Sequence, residues 1–167
     1  DDSPSSAVQI ADPYTQRLLG EALIEARDAG MITSITDNGA GGFSSSIGEL
    51  ARDIGGARVD LARALLKDVK ILPWEILISE SQERMTIATD KPDELAQICH
   101  KHGVEYYDIG EFTDSGHLQV TYNEKTVAYL DLEFLHSGNP VLNLQAEKPK
   151  IEYSKTHDLQ KTPYEII

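Results

Sequence analysis

The run Asp37-Asn38-Gly39-Ala40-Gly41-Gly42 sets three glycines within four positions, directly after an acidic and an amide residue. Glycine takes positive φ without steric cost, so such a run can turn bare backbone N–H groups toward a ligand. The flanking patterns predict a strand over 31–36 and, after the glycines, a helical stripe through Ile47, Leu50, Ala51 and Ile54 that Gly55-Gly56 ends. A helix N-terminus therefore follows the loop, and its dipole favours an anion by roughly 0.3–1 kcal/mol per charge. Gly39, Gly41 and Gly42 are candidate phosphate-loop residues on this reasoning. Asp37 opposes an anion at that place unless a hard cation lies between them. Mg²⁺ held by one or two carboxylates plus phosphate oxygens meets the requirement, which makes Asp37 the candidate metal residue. A structural alternative stands beside this reading: a tight strand-to-helix turn in which Asp37 or Asn38 serves as an Asx-turn residue.

The second candidate is Ser79-Glu80-Ser81-Gln82-Glu83-Arg84, six polar residues between the apolar segments 74–78 and 85–88. Polar groups so placed need partners or a ligand. Glu80, Ser81 and Gln82 offer an acceptor, a hydroxyl and an amide, which suits sugar hydroxyls and an amide, whereas Glu83-Arg84 reads as a local ion pair. The alternative for this run is a solvated helix end. Cys99-His100-Lys101-His102 contains metal-ligand residue types, but i and i+2 on a helix face different ways, which argues against zinc. His117 and His136 are isolated, no nucleophile arrangement of Ser/His/Asp or Cys/His type is legible, and no Walker-type lysine follows the glycines.

These residues must be positioned by the surrounding elements. Asp12-Pro13 predicts a helix start, Leu18, Leu19, Ala22, Leu23 and Ala26 follow the helical period, and Gly30 stops it. A short strand is predicted over 58–61, no assignment for 62–73, a short helix over 73–78, a strand over 85–88 and a helix over 93–102. Three strand-like runs follow at 104–111, 117–122 and 126–132, with 114–116 and 123–125 predicted as hairpin turns, so that a meander closes the domain. The fold class expected is α/β (α+β), a mixed sheet covered by helices. One domain over 1–145 is expected, with 146–167 an extended tail or interdomain linker.

With 15 basic and 28 acidic residues, the net charge of −13 repels phosphate backbones, and no basic stripe is interleaved with aromatics. Nucleic acid is not an expected partner, and an anionic substrate needs help from a cation. No apolar run reaches the ~18 residues of a membrane span. The opening Asp1-Asp2-Ser3-Pro4 lacks both regions of a signal peptide, so no membrane partner and a cytoplasmic location are expected, with which the single Cys99 agrees. The missing initiator Met gives the expectation of a processed chain or an excised piece of a longer one.

Thr36-Asp37-Asn38-Gly39-Ala40-Gly41-Gly42-Phe43-Ser44-Ser45-Ser46 with Glu49-Leu50-Ala51, then Pro73-Trp74-Glu75-Ile76 and Ser79-Glu80-Ser81-Gln82-Glu83-Arg84-Met85, resemble the synthetase (large) subunit of the phosphoribosylformylglycinamidine synthase family. Ala7-Val8-Gln9-Ile10-Ala11-Asp12-Pro13-Tyr14 is similar to the segment that precedes the glycine loop in that family. The wider superfamily of aminoimidazole ribonucleotide synthetase, selenophosphate synthetase and hydrogenase maturation factors has an Asp-containing glycine loop but lacks the Glu-Ser-Gln-Glu-Arg-Met run.

The resemblance implies a domain like the C-terminal domain of aminoimidazole ribonucleotide synthetase, with ATP-binding domains of the same enzyme elsewhere. It implies an ATP-dependent C–N ligase of purine biosynthesis that converts formylglycinamide ribonucleotide to the amidine. The ammonia would come from a glutaminase subunit or domain, with a small bridging subunit a further partner. Matched residue by residue, Gln9 and the run Glu80, Ser81 and Gln82 become substrate contacts and Asp37 a magnesium ligand, while ATP is bound mainly by other domains. Asn38 and Phe43 depart from the apolar residues common in the family, 62–70 is less regular than expected, and neither departure is expected to touch the site. The competing expectations are a scaffold or interface domain for the ATP-binding halves, in which Gln9, Asp37 and Glu80 to Gln82 are merely structural, and a domain of a related ATP-dependent maturation protein, of selenophosphate synthetase or hydrogenase maturation type, with a phosphate-loop role but without the Glu-Ser-Gln contacts.

Overall fold

Asp12 starts the first helix through its side chain: Oδ1 accepts the Tyr14 N–H at 3.1 Å and Oδ2 accepts the Thr15 hydroxyl at 2.7 Å. Pro13 then occupies a position whose N–H has no helical partner to lose. The computed structural model that shows this describes residues 12–66 and 70–149. Gln9 and most of the expected linker lie outside the described residues.

Helix α1 (Pro13–Asp28) leads to strand β1 (Ser34–Asp37), and the glycine turn then opens helix α2 (Gly42–Ile54). Phe43, Ser46, Ile47, Leu50 and Ala51 are buried along one side of α2, the i, i+3, i+4 spacing of a helix packed on a core. Strand β2 (Ala57–Asp60) runs into a 3-10 turn at Leu61–Arg63. Helix α3 (Pro73–Ile78) is fixed at its start by the Glu75 carboxylate, which accepts the Leu72 N–H at 2.6 Å. Strand β3 (Met85–Ala88) and helix α4 (Pro92–Lys101) follow, then β4 (Gly110–Phe112), β5 (His117–Tyr122), β6 (Lys125–Asp131) and helix α5 (Leu132–Ser137).

The strands form two sheets: an antiparallel ribbon β1-β3 and a mixed sheet in the order β4-β2-β5-β6. Ala57 and Val59 of β2, Leu118 and Val120 of β5, Ile47 and Ala51 of α2, Ile76 of α3 and Leu132 of α5 make the main core. Leu61, Leu118 and Val120 have no exposed surface, and each such side chain contributes about 1.5–3 kcal/mol by leaving water. A second, smaller core joins Ala26 of α1 to Leu95 and Cys99 of α4 over Ile87 of β3. The ribbon β1-β3 packs on α2 and, through Ile87, on the smaller core, and it carries the candidate residues at its turn end. Among the described residues no helix is long and apolar enough to cross a membrane.

The mixed sheet with helices agrees with the expected class, but the closing meander is corrected. Of the strand expected at 104–111 only Gly110 and Glu111 join a ladder, as part of Gly110–Phe112, which pairs antiparallel with β2 and places Ala57 opposite Phe112. The turn at 114–116 is not a hairpin. The Thr113 N–H donates to Gly56 O at 2.9 Å and the Gly116 N–H to Gly55 O at 2.7 Å, so the chain wraps around the start of β2. Strand β5 then emerges parallel to β2 on its far side. The second expected turn does close a hairpin: Asn123 and Glu124, both at positive φ, join β5 to β6. The last expected strand ends at Asp131, whose side chain accepts the Phe134 N–H at 2.8 Å and starts α5.

Candidate functional site

Asp37 ends β1, exposed, and its Oδ1 accepts the Gly39 N–H at 2.8 Å, so it forms the Asx turn of the structural alternative. The Gly42 N–H donates to Gly39 O at 2.8 Å. Among the described residues, Gly41 is then the one of the three candidate glycines whose N–H has no hydrogen-bond partner. Capacity for an anion rests on that group and the first turn of α2, less than three free amides would provide. Gly41 lies at φ +82 as the N-cap of α2, and Gly42 at φ +54 as its first residue. The Gly42 requirement is also one of approach, because a Cβ there would overlap the Ser79 carbonyl oxygen at the end of α3.

The loop and the polar run meet at Asn38. In the ribbon, Asp37 stands opposite Met85 and Thr36 opposite Thr86. The Asn38 N–H donates to Arg84 O at 3.1 Å, and the Ser81 N–H donates to Asn38 O at 2.8 Å. The Asn38 side chain is 1 % exposed. Its Oδ1 accepts the Ser46 hydroxyl at 2.7 Å, its Nδ2 donates to Thr86 Oγ1 at 3.0 Å, and the two hydroxyls lie 3.0 Å apart. Asp37, the glycine turn and 80–82 therefore share one end of the ribbon. The expectation that Asn38 stands clear of the site is corrected, since its backbone binds Ser81 and Arg84 of the polar run.

Around this junction Glu80 and Gln82 are exposed with no hydrogen-bond partner among the described residues, and Glu83 takes φ +53. A non-glycine residue in the left-handed region costs of order 1–3 kcal/mol and persists where surrounding contacts over-determine it. Arg84 does not pair with Glu83. Its Nη2 donates to Leu65 O at 2.8 Å and its guanidinium carbon lies 5.5 Å from the Phe43 ring centre, which also brings Phe43 into the site. Burial pushes the Arg84 pKa below its ordinary value, while Glu105 and Tyr107 pull it back up. In a chain of net charge −13, this partly buried cation beside the polar run is the kind of help an anionic substrate needs.

The 79–84 run and Phe43 also line a broad, open cleft of about 1990 Å³ shared with α1 and the 104–112 segment, whereas Asp37, Gly39 and Gly41 lie outside it. Single-ligand pockets are typically ~300–1,000 Å³, so the hydrogen-bonded junction defines the candidate site more narrowly than the cleft does.

Asp37 retains its second carboxylate oxygen for a hard cation, which fits a Mg²⁺ that takes one protein carboxylate and phosphate oxygens. It does not fit a metal held by this domain alone, because the described residues contain no group of three His, Cys, Asp or Glu side chains that could hold an ion. The other sequence candidates are structural. Cys99 is in the small core, and His102 and Lys101 both reach Glu25 of α1, at 2.6 and 2.7 Å. His117 stacks on Tyr129 at 4.7 Å, and His136 Nε2 lies 3.0 Å from Gly48 O, tying α5 to α2.

Residues 1–123 match the family described as AIR synthase related protein, C-terminal domain. Phosphoribosylformylglycinamidine synthase subunit PurL of Methanopyrus kandleri is 39% identical over 144 residues, which cover 84% of this chain and 20% of that protein. The structure of Thermotoga maritima PurL complexed with ADP superposes with a TM-score of 0.78 at 30% identity, over 94% of this chain and 28% of that one. T. maritima PurL complexed with FGAR gives a TM-score of 0.73 at 30% identity, over 92% and 26% of the two chains. The chain thus spans about a fifth of the length of the curated relative and about a quarter of the solved ones.

Proposed function

The chain belongs to the AIR synthase related protein family, as its C-terminal domain, and from that membership we propose that it is the ribonucleotide-facing domain of a phosphoribosylformylglycinamidine synthase. In this reading residues 1–145 form the domain and 146–167 lead toward a further ATP-binding half. The whole enzyme is a cytoplasmic ATP-dependent C–N ligase of purine biosynthesis that works with ATP-binding domains, a glutaminase subunit or domain and a small bridging subunit. It converts formylglycinamide ribonucleotide, FGAR, to the amidine. ATP phosphorylates the amide oxygen, ammonia adds at the carbon, and phosphate leaves with that oxygen.

The observation that carries this reading is the junction at Asn38, beside which lie the Asp37 carboxylate and the exposed Glu80 and Gln82 side chains. Glu80 accepts from ribose hydroxyls. Gln82, with a donor and an acceptor on one amide, reads the formylglycinamide portion, and the Ser81 hydroxyl adds a third contact. Gln9 supplies a fourth. Arg84 lowers the cost of bringing a dianion to an acidic domain. Asp37, whose Oδ1 accepts the Gly39 N–H, would hold a Mg²⁺ ion through its other carboxylate oxygen. When bound, that ion offsets charge on the transferring phosphoryl group.

The test is Gln82→Ala in the enzyme that joins this domain to its ATP-binding domains. Loss of one or two hydrogen bonds at about 0.5–1.5 kcal/mol each predicts a KM for FGAR raised by roughly two- to 150-fold, with an unchanged melting temperature. An unchanged KM for FGAR would refute this reading in favour of a scaffold domain.

A further inference from the structure

We propose that Asn38, together with Ser46 and Thr86, is the positioning device that keeps the glycine turn in register with the 80–82 run. This deepens the reading above and rests on it: the three side chains set how far apart the metal end and the recognition end of the ribonucleotide site stand.

Each member comes from a different element that carries the site. Asn38 lies between Asp37 and the first glycine, Ser46 is on α2 behind the turn, and Thr86 is on β3 just after the polar run. Asn38 and Ser46 are each 1 % exposed. A buried amide is costly unless its groups are bonded, and an apolar side chain could fill the same volume without that demand. Here the demand is met in a closed ring. Asn38 Nδ2 donates to Thr86 Oγ1 at 3.0 Å and the Ser46 hydroxyl donates to Asn38 Oδ1 at 2.7 Å, while the Thr86 hydroxyl lies 3.0 Å from Ser46 Oγ and 3.2 Å from Asn38 Oδ1 and can donate to either. In both arrangements every buried polar side-chain atom of the ring has a protein partner.

The ring is directional, and that separates it from ordinary packing. Apolar side chains tolerate sliding by a fraction of an ångström, whereas hydrogen bonds constrain both distance and angle. The backbone of Asn38 transmits the constraint on both sides, through Arg84 O at 3.1 Å and the Ser81 N–H at 2.8 Å. Through its chain neighbours it also fixes Asp37, whose carboxylate holds the Gly39 N–H. A shift of Asn38 therefore moves Asp37 relative to Ser81 and Gln82, without any of the three ring side chains touching the ligand. Misplacements near 1 Å can cost as much as a hundredfold in rate.

The experiment compares Thr86→Val, Thr86→Ser and Asn38→Leu in the enzyme that joins this domain to its ATP-binding domains, with Gln82→Ala alongside. Thr86→Val keeps shape and removes only the hydroxyl, and Thr86→Ser restores it. The expected result is a KM for FGAR raised roughly tenfold or more by Thr86→Val and Asn38→Leu, a KM for ATP within about twofold of wild type, and recovery of the FGAR value in Thr86→Ser. Where Asn38→Leu fails to fold, Thr86→Val decides. A lower melting temperature with both KM values unchanged in Thr86→Val would overturn the positioning role and leave a structural one. If Gln82→Ala raises the FGAR KM and Thr86→Val does not, only the positioning role fails; an FGAR KM untouched by Gln82→Ala removes the functional reading itself.

Discussion

Gly42→Ala is the substitution whose cost the structure specifies most fully. Gly42 lies at φ +54, a conformation that costs an L residue roughly 1–2 kcal/mol. An added Cβ would also overlap the Ser79 carbonyl oxygen while standing 2.8 Å from the Ser79 carbonyl carbon and 3.1 Å from that of Ile78. These are backbone atoms at the end of α3, so no rotamer change relieves the clash. Relief requires α2 and α3 to part, at the place where Phe43 and Ile47 meet Ile76 and Leu77 in the main core. Overpacking of that kind costs typically ~1–3 kcal/mol. The two terms give about 2–5 kcal/mol, against a total stability of roughly 5–15 kcal/mol. At about 2–4 °C per kcal/mol for a chain of this size, the melting temperature should fall by roughly 4–20 °C.

Two neighbouring glycines serve as internal controls. Gly41→Ala meets the strain of φ +82, but its nearest contact is the Ser45 Cβ at 3.1 Å. Gly39→Ala meets only the Asp37 Oδ1 at 2.7 Å, the tip of a side chain that can rotate away at the expense of one hydrogen bond, about 0.5–1.5 kcal/mol. Urea unfolding of the 167-residue chain followed by far-ultraviolet circular dichroism should rank the losses Gly42 above Gly41 and Gly41 at or above Gly39. A Gly42→Ala protein within ~1 kcal/mol of wild type, or more stable than Gly41→Ala, would refute the close approach of α2 to α3.

Further outcomes follow from groups away from the site. Hydrogen bonds from Lys101 first and His102 second hold the Glu25 carboxyl below its ordinary 4.5. A depressed folded value contributes stability that is present above 4.5 and lost as pH falls through the lower folded value, so in thermal scans the wild type should lose stability more steeply in that acidic range than Glu25→Gln. Burial raises the Cys99 thiol above its ordinary 9.0, so a disulfide reagent at pH 8 should react slowly with the native protein and rapidly after unfolding; equal rates would place Cys99 outside the small core. The isolated chain supplied with FGAR, ATP, Mg²⁺ and ammonia should form no amidine, since the groups that hold ATP are assigned elsewhere, and measurable turnover would overturn that assignment.

Legibility in the sequence followed the range of the interaction. Helices α1, α2 and α4 were readable because their determinants are local: Asp12-Pro13 at one end, Gly30 or Gly55 at the other, and apolar residues at helical spacing between them. The β5-β6 hairpin was readable for the same reason, because Asn123-Glu124 tolerates the left-handed region. The placement of β2 between β4 and β5 was not. It depends on the Thr113 and Gly116 amides finding the carbonyls of Gly56 and Gly55, partners about 60 residues away in the chain, and turn composition at 114–116 is the same whether the chain reverses or wraps. Helix α5 left a signal that the strand reading overrode, since Asp131 followed by the apolar Leu132, Phe134 and Leu135 is also a helix start.

The candidate site divides in the same way, and the division explains why Asn38 was set aside. Asp37, the glycines and Glu80–Gln82 declare themselves by residue type, since glycines in series and acceptors without apolar partners are rare enough to stand out locally. Asn38 has a type that turns use constantly, and an Asx turn was the natural local account of it. What distinguishes it is burial to 1 % and a ring of hydrogen bonds closed by Ser46 and Thr86, eight and 48 positions downstream. No one-dimensional pattern carries that, because Ser46 reads as one polar residue in Ser44-Ser45-Ser46 and Thr86 as one β-branched residue in a strand. A polar side chain buried to that degree must find partners or destabilise the fold, and the elements near enough to provide them are those flanking the site. An amide residue inside a glycine loop between a strand and the helix it opens is therefore grounds to search the adjoining helix and paired strand for hydroxyls before assigning it to a turn.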